Sequence, residues 1–411
     1  MQNTVLYLDH TAKMGGGEIA LLNLLGAQDR SKFRALVCLA SDGPLVQALE
    51  NLGAETYVLP LSSAIIETRK DHLGFKTLLR IRDAFRLLSY VGELARFITA
   101  QQVDIVHANS LKSGLYGGVA ARIAGVPMLW HVRDNVDDNY LPPVVARIFQ
   151  FLIRLLPNVV VANSESTLSR IVTRAAAANG ASSASIIGPV KMTVVHDGVD
   201  ADRYADIKSV DPASGAIALV GRIAPWKGQH IFIDAARQVL DTHPDARFWV
   251  IGAPLFGEDA YDAKIRQQVK DLGLDGAISF LGFRSDVTEL LEDVGIVVHA
   301  STIGEPFGQV VVEGMAASKP VIATSGGALP EIIKDGETGL LVPMNNSVAM
   351  ADAINRLLAD PEAARSMGQA ARRRIRDHFT IDKTARRLEG VYSYMLRRSP
   401  SRPLTPTARA T

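Results

Sequence analysis

The chain has 411 residues, of which 47% are hydrophobic and 21% are charged, and its formal net charge is +1. These values are typical of a globular protein, and the length is sufficient for two domains with separate cores. A charge so close to zero gives no reason to expect a nucleic-acid partner.

The chain begins with an apolar stretch that we interpret as a first strand. Residues 1–8 lack the basic start and the long apolar core of a signal peptide, so we expect a cytoplasmic protein. The single cysteine, Cys38, cannot form an internal disulfide. It stands in an apolar run, where we expect a small core residue.

A glycine-rich turn follows the first predicted strand. The strand ends at Asp9, and residues 15–18 (Gly-Gly-Gly-Glu) precede the first predicted helix. Such a turn lets a ligand approach the backbone closely, although a tight loop without a ligand could have the same composition. The pattern is not G-x-G-x-x-G, which argues against a dehydrogenase.

The segment 69–96 has a helical pattern and is basic. Its cations are Arg69, Lys70, Lys76, Arg80, Arg82, Arg86 and Arg96. They can form a solvated helix face. The alternative is that they attract an anionic membrane surface or a lipid phosphate.

Two further predicted strands end in polar residues. His107 and Asn109 close one of them, and His131 and Asp134 close the next. Open α/β sheets bind ligands at the carboxyl ends of their strands. A histidine at such a position can be structural or can contact a ligand.

Two stretches in the middle of the chain have unusual composition. Residues 144–161 are strongly apolar, but Arg147, Arg154 and Pro157 interrupt them, as expected for an amphipathic helix followed by a buried strand. Residues 175–189 are small and low in complexity, so we expect a flexible surface insertion.

Carboxylates form two small clusters in this part of the chain. Asp134, Asp137 and Asp138 make up the first, and Asp200 and Asp202 the second. Because no supporting pattern of metal ligands surrounds them, we interpret them as solvated carboxylates and expect no bound metal.

Two cations follow a predicted strand that begins the second half of the chain. A polar linker over residues 202–214 leads to the strand 216–220, and Arg222 and Lys227 stand between Gly221 and Gly228. Two cations on a strand-to-helix turn could neutralise a diphosphate. The alternative is that they are ordinary surface cations.

A later strand is followed by two glutamates separated by seven residues, Glu305 and Glu313. Pro306 suits the first turn of a helix, and Gly308 would let a ligand approach the backbone. Free amides at a helix start bind phosphate. The two carboxylates could therefore grip the hydroxyls of a nucleotide sugar on either side of its diphosphate. A capped helix with two solvated glutamates also fits the spacing.

The pattern E-P-F-G-x-x-x-x-E-G-M-A, continued by K-P-V-I-A-T, G-G and E-I-I-x-D-G-x-T-G-L-L-V-P, resembles the donor-binding signature of family 4 glycosyltransferases. The match continues through Gly326, Gly327, Glu331, Gly336, Gly339 and Pro343. These are retaining enzymes of the GT-B fold. The resemblance implies an α/β protein with two Rossmann-like, doubly wound domains facing a cleft, and a C-terminal helix that crosses back to the first domain.

The resemblance also implies roles for individual residues. The catalytic ones would be His131, Arg222, Lys227 and Glu305. The donor-binding ones would be Gly15, Gly16, Arg222, Lys227, Phe283, Arg284, Glu305, Phe307, Gly308 and Glu313. From the positions of the two glutamates we expect Glu305 to hold the donor sugar and Glu313 the ribose. Family members often have His-x-His where this chain has His107 and Asn109, so Asn109 receives no role. Asp197 replaces a usual asparagine, which we interpret as a structural change in a turn.

We predict an acceptor-side domain over residues 1–205, completed by a crossing helix at about 384–398, a donor-binding domain over 206–383, and a disordered tail over 399–411.

The expected activity is transfer of a sugar from a UDP- or GDP-linked donor to a hydroxyl of a glycan, lipid-linked or small-molecule acceptor. We expect this transfer to retain the anomeric configuration and to need neither a metal nor a cofactor. It would serve synthesis of cell-surface polysaccharide or glycoconjugate, in the cytoplasm or at the inner membrane surface. One alternative is a nucleotide-sugar epimerase of the same fold, which the glutamate pair disfavours. The other is an inactive partner subunit, which the intact cations and glutamates disfavour.

Overall fold

The computed structural model describes residues 2–62, 81–138, 140–172, 184–187, 190–208, 210–255 and 257–398. Within these ranges the chain forms two separate sheets. The predicted α/β class with two doubly wound units is confirmed.

The first sheet has eight strands in the described part of the chain, in the order β3-β2-β1-β4-β5-β6-β8-β7. The strands are β1 (Asn3–Asp9), β2 (Phe33–Leu39), β3 (Glu55–Val58), β4 (Ile105–Ala108), β5 (Met128–Val132), β6 (Val159–Ala162), β7 (Ala184–Ile187) and β8 (Val190–Val194). The helices are α1 (Gly16–Ala27), α2 (Pro44–Asn51), α3 (Ile81–Ala100), α4 (Leu111–Ala124), α5 (Pro143–Leu155) and α6 (Glu165–Ile171). Neighbouring strands are parallel except β7 and β8.

Among the described residues, the second sheet has six parallel strands in the order β11-β10-β9-β12-β13-β14. The strands are β9 (Ala216–Val220), β10 (Phe248–Ile251), β11 (Ile278–Gly282), β12 (Val294–His299), β13 (Val321–Thr324) and β14 (Leu340–Val342). The helices are α7 (Gln229–Val239), α8 (Asp259–Asp271), α9 (Val287–Leu290), α10 (Gln309–Ala316), α11 (Leu329–Ile332), α12 (Ser347–Ala359) and α13 (Pro361–His378). A last helix, α14 (Ile381–Arg398), follows.

Central strands of both sheets read as continuous apolar runs because helices cover both faces of each sheet. All six residues of β12, for example, are buried. Cys38 in β2 is 1% exposed, as expected for a core residue, and burial raises the pKa of its thiol to about 12.

Each sheet reverses its strand order beside its first strand. In the first sheet the reversal lies between β1 and β4, and in the second between β9 and β12. Ligands of open α/β sheets bind in the crevice that forms at the carboxyl ends of these strands. The glycine turn after β1 and the cation turn after β9 both stand at such a crevice.

The last helix crosses back to the first domain. Helix α14 begins three residues before the predicted crossing helix and packs against α1. Leu388, Tyr392 and Met395 are buried in the core beneath the first sheet. The Tyr392 hydroxyl lies 2.6 Å from His107 Nδ1 and 3.1 Å from the Tyr7 hydroxyl. The first strand and the last described helix therefore belong to one domain.

Part of the predicted flexible insertion is a strand. The segment 175–189 is not a flexible insertion throughout, because Ala184–Ile187 forms β7 and pairs with β8. Its residues 175–183 lie outside the described residues, as do residues 69–80 of the basic segment and the tail 399–411. Helix α5 and strand β6 occur as predicted, and none of the described helices combines the length and apolar character needed to span a membrane.

The prediction of solvated carboxylates is wrong for two of the five residues. Asp134 accepts a hydrogen bond from the Tyr140 hydroxyl at 2.7 Å, and Asp137 pairs with Arg170. Both are half-buried because the loop before α5 folds back onto them, whereas Asp138 is exposed. These partners could not be predicted from the sequence, because they depend on how the loop folds.

Candidate active site

Two cations lie on the turn that follows β9. The Arg222 guanidinium lies 4.7 Å from the ring centre of Trp226, and the Arg222 carbonyl accepts a hydrogen bond from Gln229 Nε2 at 2.9 Å. One turn of 3-10 helix, Pro225–Lys227, ends in Lys227. Both cations are half-buried. The turn therefore holds two positive charges at the crevice of the second sheet.

Glu305 lies in the loop after β12, the strand that pairs with β9. Its carboxylate forms a salt bridge with Lys227. His299 Nε2 and Ser301 Oγ lie 3.4 Å and 3.3 Å from the same carboxylate oxygen. Burial by itself would raise the pKa of Glu305, but the Lys227 ammonium and the His299 ring outweigh burial and hold the pKa below its usual range. Glu305 is therefore an anion.

Glu313 has a different environment on helix α10. Gln309 Nε2 donates to Glu313 Oε1 at 3.2 Å. Burial raises the pKa of Glu313 to about 7, although the Gln309 hydrogen bond and the charge of Arg203 oppose the rise. The two glutamates of the motif therefore differ in their ease of protonation.

Helix α10 begins later than the sequence predicted. Pro306 was expected in its first turn, but the helix starts at Gln309 and Gly308 is the N-cap. Gly308 has a φ of 100°, a left-handed conformation that favours glycine. A Cβ atom at this position would lie 2.5 Å from Leu329 Cδ2. The placement of Pro306 was wrong because the turn at Gly308 separates it from the helix.

The other predicted donor-binding residues of this domain have varied surroundings. The Phe307 ring is buried in a core cluster. Phe283 is 69% exposed, and Arg284 Nε donates to Asp286 Oδ1 at 2.7 Å. Contacts of these residues with a donor stay predictions.

The turn between β1 and α1 carries Gly15 and Gly16. A Cβ atom on Gly16 would have no neighbour within 4 Å, so the backbone here is open to a ligand. Glu18 Oε2 accepts a hydrogen bond from the Gly15 amide at 3.1 Å. Burial, assisted by the charge of Asp9, raises the pKa of Glu18 to about 8.

Sequence reasoning missed a group of three side chains beside this turn. The ligand atoms of Asp9, His10 and Glu18 all lie within 4.8 Å of one another, and residues of these types bind divalent metals. Asp9 Oδ2 also accepts a hydrogen bond from Asn109 Nδ2 at 2.6 Å, and His10 Nδ1 lies 2.9 Å from Ser110 Oγ. Asp9 and His10 are thus already hydrogen-bonded to other residues of the protein. The available signal was that Asp9 ends a strand and that Glu18 stands at the start of the following helix.

His131 is the residue before the last of β5 and is fully buried. Its Nε2 lies 4.0 Å from Asp197 Oδ1, and its ring centre is 5.3 Å from that of His107. Burial lowers the pKa of His131 well below its usual value, and the charge of Arg133 lowers it further. The imidazole is therefore neutral. Its contact with a donor sugar stays a prediction.

Arg133 and Asp197 form a buried pair that was also missed. Arg133 Nε donates to Asp197 Oδ1 at 3.0 Å, and Asn163 Nδ2 donates to Asp197 Oδ2 at 3.2 Å. Arg133 also donates to Asn109. Asp197 was interpreted only as a turn residue and Asn109 received no role. Both bind Arg133 because the ends of β4, β5 and β8 meet at one edge of the sheet.

Hydrogen bonds across the cleft bring the Glu305 loop against the first domain. Asn135, in the loop after β5, donates through Nδ2 to the carbonyl of Gly304 at 2.6 Å. Ser164 Oγ donates to the carbonyl of Pro306 at 2.7 Å. The loop is therefore anchored to the first domain on both sides of Glu305.

Two sequence models of known families match this chain. The family described as "Glycosyl transferase 4-like domain" matches residues 15–198, and "Glycosyl transferases group 1" matches residues 203–374. The chain belongs to the family 4 glycosyltransferases. Its fold is GT-B, as predicted, with each match on one of the two sheets.

Relatives and solved structures agree with this assignment. The chain is 28% identical over 334 residues to a D-inositol 3-phosphate glycosyltransferase of Corynebacterium glutamicum, covering 75% of this chain and 77% of that protein. It is 25% identical over 334 residues to an Escherichia coli UDP-Gal:alpha-D-GlcNAc-diphosphoundecaprenol alpha-1,3-galactosyltransferase. That match covers 77% of this chain and 81% of the galactosyltransferase. The crystal structure of Anabaena HepE with UDP and glucose is similar to this fold, with a TM-score of 0.77 and 27% sequence identity. The match covers 95% of this chain and 99% of the HepE chain.

Proposed function

We propose that the protein is a retaining glycosyltransferase that moves a sugar from a nucleoside diphosphate sugar to a hydroxyl of a glycan, lipid-linked or small-molecule acceptor. The proposal rests on the salt bridge between Lys227 and Glu305, which lies where the strand order of the second sheet reverses. Arg222 stands on the same turn as Lys227. Cations and a fixed carboxylate at this crevice suit a ligand that has a diphosphate and sugar hydroxyls.

The diphosphate is the leaving group, and its negative charge grows as the bond to the sugar breaks. Arg222 and Lys227 would stabilise that charge, and the first amides of α10 would add to it. Preorganised charges act strongly in a partly buried site because they need no reorganisation during the reaction. In the same proposal these two cations replace a metal ion, so the chemical step needs none.

The two glutamates would hold different parts of the donor. Glu305 is charged and fixed, which suits strong hydrogen bonds to the sugar hydroxyls. Glu313 lies farther along α10, where we place the ribose. His131, held neutral, would bind a sugar hydroxyl without adding positive charge, and the family resemblance supports that role.

Relatives guide the choice of donor and acceptor. HepE structures contain UDP and UDP-glucose, which favours a uridine nucleotide. The galactosyltransferase relative acts on a diphosphoundecaprenol, and a Rhizobium meliloti relative is a lipopolysaccharide core mannosyltransferase. These names support an acceptor in cell-surface glycan synthesis.

A thermal-shift screen with uridine, guanosine and adenosine diphosphates tests the donor class. A ligand that binds only the folded protein raises the Tm by an amount set by its affinity, so one nucleotide should raise it most. The sugar form of that nucleotide should then release nucleoside diphosphate when acceptor is added, even in excess chelator. The product should keep the anomeric configuration of the donor.

The absence of a Tm shift with all three nucleotides would contradict the donor site. Donor conversion without release of nucleotide indicates an epimerase, and loss of turnover in chelator that magnesium or manganese restores contradicts metal independence.

A further inference from the structure

Helix α5 exposes an apolar side to solvent. Its inner side packs into the core through Val145, Ala146, Phe149 and Ile153. Its outer side exposes Val144 (56%), Ile148 (41%), Phe151 (60%) and Leu155 (44%). A surface helix normally carries polar residues on its outer side, whereas α5 places these four exposed apolar side chains beside its arginines. A second apolar environment would cover them.

The neighbouring helix α4 extends this surface. Val119 and Ile123 of α4 are also exposed, at 39% and 64%. The two helices are in close contact, because a Cβ atom on Gly118 would lie 2.9 Å from Leu156 Cβ. The guanidinium of Arg122 donates to the carbonyl of Leu155. We define the α4–α5 face as Val119, Ile123, Val144, Ile148, Phe151 and Leu155.

The charges that α4 and α5 carry all have one sign, although the exposed Asp138 lies in the loop before α5. Helices α4 and α5 contain no aspartate or glutamate, and their four cations are Lys112, Arg122, Arg147 and Arg154. These two helices thus carry a charge of +4 in a chain whose net charge is +1. Arg147 is exposed within the apolar stripe, next to Ile148.

We propose that the α4–α5 face binds the surface of an anionic lipid bilayer, with α5 lying in the plane of the headgroups. Apolar side chains flanked by arginines match both layers of such an interface, the acyl boundary and the negative headgroups. The stripe from Val144 to Leu155 spans 11 helical steps, or about 17 Å, so several side chains can insert together.

The position of the face relative to the cleft gives the binding a consequence. The loop before α5 contains Asn135, which bonds to Gly304 beside Glu305. The α4–α5 face therefore starts at one wall of the cleft, and docking would hold that wall near the membrane, within reach of a lipid-linked acceptor. The binding itself does not depend on the proposed reaction.

Cosedimentation with vesicles tests the docking. The full chain is mixed with vesicles of equal parts phosphatidylglycerol and phosphatidylcholine, and with vesicles of phosphatidylcholine alone. Ile148→Glu and Phe151→Glu should each weaken binding to the anionic vesicles roughly tenfold or more, because each replaces an inserted apolar side chain by a carboxylate. Arg147→Glu should weaken it without removing an apolar group, and binding of the unchanged protein should be weaker to the neutral vesicles and at high salt.

Matched controls lie on the other domain. Val348→Glu changes a valine that is 58% exposed on α12, and Lys264→Glu reverses an exposed cation on α8. Both should bind vesicles as the unchanged protein does. The proposal is overturned if the unchanged protein does not sediment with anionic vesicles, or if all three α4–α5 variants bind equally well. It is also overturned if light scattering shows self-association that Phe151→Glu abolishes while vesicle binding is absent, since the face would then join two copies. The nucleotide-induced rise in Tm of the same variants reports on the donor site separately.

Discussion

Glu305 and Glu313 carry the same side chain in one motif but differ in electrostatic environment. Lys227 and His299 hold the pKa of Glu305 below its usual range against the effect of burial, whereas burial raises the pKa of Glu313 to about 7. The motif predicted that both residues belong to the site. It could not show the difference, because Lys227 lies far from Glu305 in the chain and meets it only in the folded domain.

The raised pKa of Glu313 predicts a pH-dependent cost to stability. Between about pH 4.5 and pH 7 the unfolded chain loses the Glu313 proton before the folded protein does, so rising pH lowers the free energy of unfolding. Above about pH 7 the loss is complete. Glu313→Gln cannot ionise, so the difference in Tm between this variant and the unchanged protein should move in favour of the variant from pH 5 to pH 8.

Thermal unfolding at a series of pH values measures this difference. Glu50→Gln, at an exposed position on α2, is the matched control and should show no such trend. A Tm difference for Glu313→Gln that stays constant over the range would mean that Glu313 is not buried at a cost in the folded protein.

At the scale of elements, strand ends and helix starts were predicted less well than the elements themselves. Strand β9 was predicted at its observed bounds, because an apolar run between a polar linker and a glycine marks it clearly. The start of α10 was placed too early, since Pro306 is a common first residue of a helix. Only the backbone conformation of Gly308 shows that the chain turns once more before the helix begins.

This turn predicts a specific sensitivity to substitution. Gly308→Ala should lower the free energy of unfolding by about 1–2 kcal/mol for the left-handed conformation, and the close approach of Leu329 should add to that loss. It should also weaken nucleotide binding, because the turn sets the position of the first α10 amides. Chemical denaturation measures the first effect, with Gly276→Ala as control, since a Cβ there has no neighbour within 4 Å. Equal stability of the two variants would show that the turn adapts without cost.

At the scale of the whole molecule, the pattern of the sequence predicted two α/β domains, because parallel strands buried on both faces appear as short apolar runs between helical patterns. The crossing helix was expected from the family resemblance. The cross-cleft bond from Asn135 to Gly304, the pair of Arg133 and Asp197, and the exposed apolar side of α5 could not be predicted in this way. Each depends on which surfaces the two sheets bring together, and local patterns do not contain that information.

The central claim is that Lys227 binds the donor diphosphate while Glu305 serves the sugar. Calorimetry with the nucleoside diphosphate selected by the thermal screen tests it in three variants. Lys227→Ala should weaken binding by about 10- to 100-fold, as expected for loss of a charged hydrogen bond of roughly 1.5–3 kcal/mol. Glu305→Gln should bind the bare nucleotide at least as tightly as the unchanged protein, because Lys227 is released from its salt bridge. Lys270→Ala, an exposed cation on α8, should have no effect. Unchanged affinity in Lys227→Ala, or a large loss in Glu305→Gln, would contradict the assignment of the two residues.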